Sequence, residues 1–170
     1  THSFPTRLSS DLREQIGRGD LVVLEQFIDF TRLRALSFYD EFEPGNAVHT
    51  PMAQPYSEEL RKKLIASAKK LELSHHEAGT VITIEGPRFS TKAESHMFRS
   101  WGADVINMTI APETILANEA GIPYAAVAMS TDYDCWKEDE EPVSWDEIVR
   151  VFTANAQKVT RLLTDVIADM

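Results

Sequence analysis

Apolar residues recur along this chain in two rhythms. One is the short dense run of a strand buried on both faces, the other the three-to-four spacing of an amphipathic helix. From Gly79 the two alternate. "TVITIE" predicts a strand over 80–85, and "TKAESHMFRSWGA" a helix over 91–103 with Thr91 and Glu94 as a capping box. "DVINM" reads as a short strand, and "APETILANEAG" as a helix with Pro112 near its start and Gly121 after its end. "IPYAAVAMS" is a further strand, ending at Ser130. Residues 144–170 form a long terminal helix, opened by a second capping box, Ser144 and Glu147. Its stripe is Ile148, Val151, Phe152, Val159, Leu162, Leu163 and Val166.

Upstream the pattern is sparser. Leu21–Leu24 follow Gly19 as a dense run and predict a buried strand. Residues 57–73 predict a helix capped by Ser57, with Leu60, Leu64, Ala68 and Leu71 on one face. Residues 31–55 keep no period; prolines and Gly45 mark a long loop, which in a compact domain points to function or an interface. Residues 1–18 are polar and basic and predict no strand. The βαβαβα order from residue 80 predicts an α/β fold, its sheet parallel or mostly parallel with helices on the faces.

Composition narrows the function. The 170 residues suit one domain with a real core. Seventeen Lys and Arg against 27 Asp and Glu leave a formal charge of −10, which argues against a nucleic-acid partner but not against a small nucleoside. Cys135 is the only cysteine, so no disulfide framework exists and an intracellular, cytoplasmic setting is expected. No apolar run approaches the ~18 residues of a membrane span, and no secretory signal is visible. The chain opens on Thr1, without an initiator methionine.

Ligands of open α/β sheets bind beyond the carboxyl ends of strands. Three unusual stretches fall there: "EGPRFS" (85–90), "NMT" (107–109) and "STDYD" (130–134), which converge if their strands are neighbours. Asp132 and Asp134, two residues apart in extended chain, point the same way. Two carboxylates sharing a cleft repel, so one holds a proton near neutral pH while the other accepts a hydrogen bond. The alternative is an acidic turn in which one Asp caps. No histidine stands close in sequence, so a metal is not expected. Phe89 offers a flat face to a ring or belongs to the core, and Arg88 reads as a salt-bridge partner. Thr109, before a helix, suits an anion such as phosphate or simply caps. Met108 is a strand-end core residue or a contact for a sugar face. His49 is a loop residue, His75 and His76 read as solvent-exposed, and Cys135 reads as a small buried hydrophobe.

Taken together, "TIEGPRFSTKAESHMFRSWGADVINMT", "PETILANEAGIPYA" and "AMSTDYDCWKEDEE" closely resemble the methylthioadenosine phosphorylases, in the trimeric branch of the purine nucleoside phosphorylase family. "GDLVVLEQFIDFTRLRALSFYD" and "HTPMAQP" extend the likeness to nearly everything from about Leu12. The resemblance implies a mixed, largely parallel twisted sheet flanked by helices. It implies phosphorolysis of 5′-methylthioadenosine to adenine and 5-methylthioribose 1-phosphate, with inorganic phosphate as co-substrate and no metal or organic cofactor. Ser90 and Asp132 stand where the 6-oxopurine enzymes carry glutamate and asparagine, which matches the 6-aminopurine branch. By resemblance Asp132 is the acid at N7 and Asp134 receives the 6-amino group, though the two assignments can be exchanged. Phe89 packs on the base and Met108 touches the ribose. Asn107, Thr131 and Tyr133 line the pocket, and Thr109 binds phosphate. Ser90, Trp145 and Ile148 shape substrate choice. His49 reaches a neighbouring subunit's site in a trimer.

Two departures stand out. Roughly the opening third of the family's chain, which carries the phosphate loop, has no counterpart here. Residues 1–170 therefore read as the C-terminal part of one phosphorylase domain, with its N-terminal portion expected as a separate polypeptide. Trp145 stands where a smaller apolar residue is expected, which bears on methylthio against hydroxyl preference. The competing expectations are an adenosine or purine nucleoside phosphorylase of broader specificity, or a non-catalytic nucleoside-binding subunit without a complete phosphate site.

Overall fold

Leu21, Val22, Val23 and Leu24 are all buried because the strand over the first three, and the residue after it, are covered on both faces. Leu21 and Val23 pack with Leu60, Leu64, Val159 and Leu162, while Val22 and Leu24 pack with Val81, Val105, Ile110 and Tyr124. A continuous apolar run is the mark of such a strand. This computed structural model describes the backbone of residues 6–137 and 145–170, and the side chains of 9–137 and 149–170.

Among the described residues, seven strands and four helices follow one another: β1 (Thr6–Asp11), β2 (Leu21–Val23), β3 (Gln26–Phe30), α1 (Glu58–Lys70), β4 (His75–His76), β5 (Thr80–Ile84), α2 (Lys92–Ser100), β6 (Val105–Asn107), α3 (Ile110–Glu119), β7 (Val127–Tyr133) and α4 (Trp145–Ala168). They form a single mixed sheet in the order β3-β5-β6-β1-β7-β2-β4. The β3–β5, β5–β6, β1–β7 and β2–β4 pairs are parallel; β1–β6 and β2–β7 are antiparallel. The α/β class and the mixed, largely parallel sheet are thus present.

Local signals place the helices well. Ser57 Oγ accepts from the Leu60 N–H at the start of α1. The Thr91–Glu94 capping box is complete at α2. In α4, Val159, Leu162 and Val166 are buried against the sheet, but Phe152 at the other end of the stripe is 38% exposed. The Ser144–Glu147 box lies outside the described residues. Among those residues no helix is long and apolar enough to cross a membrane.

Three expectations need correction, and one strand was not foreseen. Residues 6–11 do form a strand, and it is central: β1 lies between β6 and β7. Its Ser9, Ser10 and Asp11 carry no apolar period, so the pattern that reveals a strand is missing. A further strand, β3, begins at Gln26, two residues after Leu24, and lies at the sheet edge with side chains only half-buried or exposed. The strand read as ending at Ser130 runs on through Asp132 to Tyr133 because β1 pairs with it that far. His75 and His76 are half-buried in β4 rather than fully exposed. His75 Nδ1 lies 2.7 Å from the Leu73 carbonyl, and His76 Nε2 lies 3.0 Å from Asp20 Oδ2.

The loop over 31–55 forms no strand or helix, as its composition predicts. Its start is pinned by Glu85 at the end of β5. The Arg32 and Leu33 N–H groups donate to Glu85 Oε2 at 2.7 and 3.1 Å, and Arg34 Nε donates to Oε1 at 2.8 Å. The Arg32 N–H, the Arg34 side chain and the Leu33 N–H together hold this carboxyl down to about 2.

Candidate active site

Asp132 and Asp134 are held by hydroxyls from different parts of the chain. Asp132 lies in β7, and its register partner on β1 is Ser10, whose Oγ lies 3.0 and 3.1 Å from the two carboxylate oxygens. Thr131 Oγ1 donates to Asp132 Oδ1 at 2.6 Å and also lies 3.3 Å from the Ser9 carbonyl. Asp134, just past the strand and buried, receives Ser90 Oγ at 2.7–2.8 Å. The Cys135 thiol donates to the Ser90 carbonyl at 3.4 Å, and Trp136 Nε1 donates to the Asp11 carbonyl at 2.9 Å. The aspartates are therefore fixed acceptors on a buried strand end rather than members of a loose acidic turn.

Burial raises the Asp132 carboxyl above its ordinary value, and the charge of Asp134 adds to the rise. Hydrogen bonds from Thr131 and Ser10, and the charge of Arg18, oppose it without cancelling it. Both hydroxyls reach Oδ1, which leaves Oδ2 as the less engaged oxygen and the natural seat of a proton. Such a group can give a proton to a ring nitrogen that is gaining charge.

The three stretches meet, but not by the expected route. β5 and β6 are parallel neighbours, so Glu85–Ser90 and Asn107–Thr109 leave the sheet together. β7 is separated from them by β1 and runs opposite to β6. They converge because Ser10 of β1 pairs with both Ile106 and Asp132, which brings the end of β7 level with β6. Gly86 brings the first two stretches into contact: at φ +68°, a Cβ there would sit 2.7 Å from Met108 Sδ.

Phe89 is 69% exposed, which removes it from the core and leaves its ring face available. Arg88 is a salt-bridge partner, forked onto Glu94 with two bonds of 2.7 Å. Met108 is half-buried against the cluster of Ile82, Ile84 and Phe98. Thr109 is exposed at the start of α3, and its side chain makes no capping bond. Asn107 is buried below it: its Oδ1 takes the Thr83 hydroxyl at 3.0 Å and the Thr109 and Ile110 N–H groups at 3.3 and 3.5 Å.

Not every expected residue joins this cluster. Tyr133 alternates to the other face, where its hydroxyl donates to the Glu14 carbonyl and its ring packs on Trp136 and Lys137. His49 is exposed in the 31–55 loop. The side chains of Trp145 and Ile148 lie outside the described residues; both positions belong to the first turn of α4. Two residues that the pattern did not single out matter here, Ser10 and Thr83. Ser10 carried no signal. Thr83 carried a weak one, as a polar residue inside an otherwise apolar buried strand. Among the described residues, no group of three or more His, Cys, Asp or Glu is arranged to hold a metal.

A mixed α/β sheet with a paired carboxylate at one strand end, a glycine turn at a second and an uncapped threonine at a third suits a nucleoside and an oxyanion together. The sequence profile of the Phosphorylase superfamily matches residues 11–168, and the chain belongs to that family. Its relatives include the S-methyl-5'-thioadenosine phosphorylases of Xenopus tropicalis, 54% identical over 96% of this chain, and Danio rerio, 50% identical over 96%. The chain spans 59% of the length of each. The methylthioadenosine phosphorylase of Schistosoma mansoni in complex with adenine superposes with a TM-score of 0.91 at 37% identity, covering 99% of this chain and 65% of that one. A single-site mutant of the adenosine/methylthioadenosine phosphorylase from the same organism, in complex with methylthioadenosine, superposes with a TM-score of 0.89 at 35% identity, covering 99% of this chain and 64% of that one.

Proposed function

We propose that this chain carries the base and sugar side of a site for phosphorolysis of 5′-methylthioadenosine, releasing adenine and 5-methylthioribose 1-phosphate. The observation that carries the reading is the aspartate pair, one member raised by burial and the other anchored by Ser90. A 6-aminopurine presents an acceptor at N7 beside a donor at the 6-amino group. Asp132 as the acid and Asp134 as the acceptor match that edge in order. A 6-oxo group would set an acceptor against the Asp134 carboxylate.

In this reaction a phosphate oxygen attacks C1′ as the bond from C1′ to N9 breaks. The bonding pair moves into the purine, and the Asp132 proton goes to N7. General acid help of this kind is worth ~10²–10⁴-fold. Phe89 covers the base, Met108 touches the ribose, Thr131 lines the pocket floor, and Thr109 receives phosphate. Inorganic phosphate is the co-substrate, with no organic cofactor. The complete enzyme is a cytoplasmic trimer whose neighbouring subunit receives His49. Adenosine is a second substrate in view, because relatives of this fold are named adenosine/methylthioadenosine phosphorylases.

The test compares Asp132→Asn with the wild type in native particles, by phosphate-dependent release of adenine from methylthioadenosine and adenosine and of hypoxanthine from inosine. Expected is a loss of at least ~10²-fold in turnover with adenine binding retained. Unchanged turnover, or inosine cleaved as fast as methylthioadenosine, would overturn the reading.

A further inference from the structure

A threonine at a helix N-terminus ordinarily turns its hydroxyl back onto the first free N–H groups. Thr109 holds that position at α3 and does not do so. The capping work is done from the neighbouring strands. Asn107 Oδ1 accepts from the Thr109 and Ile110 N–H groups, and Thr83 Oγ1 accepts from the Ala111 N–H at 3.2 Å. Thr83 in turn donates its own proton to Asn107 Oδ1, which locks the two together. Both are buried, Asn107 to 6% exposure, and Asn107 Nδ2 has no partner among the described residues. The Asn107 amide is thus oriented by its oxygen alone.

We propose that Thr83 and Asn107 form a surrogate cap whose function is to release the Thr109 hydroxyl for an oxyanion, so that Thr83, which never touches substrate, is a positioning residue for phosphate. Asn107 acts through the same oxygen rather than as a pocket wall. With the first turn already satisfied, the Thr109 hydroxyl is free to donate outward at the positive end of α3. The inference rests on the assignment of phosphate to Thr109.

The experiment titrates the native particle with inorganic phosphate and, separately, with adenine, following the NMR signals of the Thr109, Ile110 and Asp132 amides and of the Thr109 and Ile110 methyl groups. Thr83→Val is isosteric but cannot accept from Ala111 or hold Asn107; Thr109 then turns inward to cap. The phosphate midpoint is expected to rise about tenfold in Thr83→Val, with the adenine midpoint unchanged, and to return in Thr83→Ser. An unchanged phosphate midpoint in Thr83→Val, or no Thr109 response to phosphate in the wild type, overturns the proposal. Adenine that fails to move Asp132 refutes the functional reading instead.

Thr109→Val keeps the test sharp if Thr83→Val does not fold. A hydroxyl that is not a cap can be removed without loss of melting temperature, while phosphate binding weakens. A fall of several degrees, as for an ordinary cap in a chain of this size, would overturn the proposal.

Discussion

Replacing Asp11 by asparagine should make this chain more stable at neutral pH and nearly remove its pH dependence between about pH 5 and 8. Asp11 is fully buried in β1, receives the Ser130 hydroxyl on Oδ2, and has no partner for Oδ1 among the described residues. Burial pushes its carboxyl from 3.8 up to about 8; the Ser130 bond and the charge of Arg18 oppose this, and the charges of Asp132 and Asp20 add to it. The folded chain therefore keeps a proton that the unfolded chain has released throughout this interval. The contribution to stability is fullest below 3.8, falls as pH rises, and levels off above about 8. Each pH unit inside the interval costs about 1.4 kcal/mol. Moving from pH 5 to pH 7 thus costs about 3 kcal/mol, or about 6–11 °C in melting temperature for a chain of this length. Asparagine keeps an acceptor for Ser130 and never ionises. Urea and thermal unfolding at pH 5, 6, 7 and 8 should show the wild type losing stability across the series while Asp11→Asn stays within about 1 kcal/mol. Parallel slopes in the two proteins would refute the buried neutral carboxyl.

Three further outcomes follow from the contacts. Ser90→Ala frees Asp134 from its hydroxyl partner and should weaken adenine binding about five- to tenfold by calorimetric titration, with little change in melting temperature. Arg61→Met removes a buried guanidinium whose Nε and NH2 donate to the carbonyls of Leu24 and Glu77; urea unfolding should show a loss of about 2–4 kcal/mol, and under about 1 kcal/mol would mean that water replaces those bonds. Gly86→Ala drives a methyl group into Met108 at a positive φ, so nucleoside affinity should fall more than adenine affinity in parallel titrations.

Much of this molecule could be read from the chain alone, because the features concerned are local. The run Leu21–Leu24 is apolar at every position since helices cover one face of β2 and Val81, Val105 and Ile110 the other. The Ser57 cap and the Thr91–Glu94 box lie within four residues of the N–H groups they satisfy. The spacing of Asp132 and Asp134 likewise marked a candidate pair before any fold was known. Other features depend on contacts that sequence distance hides. Ser10 reaches Asp132 across 122 residues, and Thr83 reaches the Ala111 N–H across 28. β1 is a central strand built from Ser9, Ser10 and Asp11, with no period to announce it; only pairing with β6 on one side and β7 on the other makes it a strand. Periodicity and capping report on a segment's own turns and faces. Strand order, register and the partner of a buried hydroxyl are settled by which segments fit beside one another, and that was decided in three dimensions.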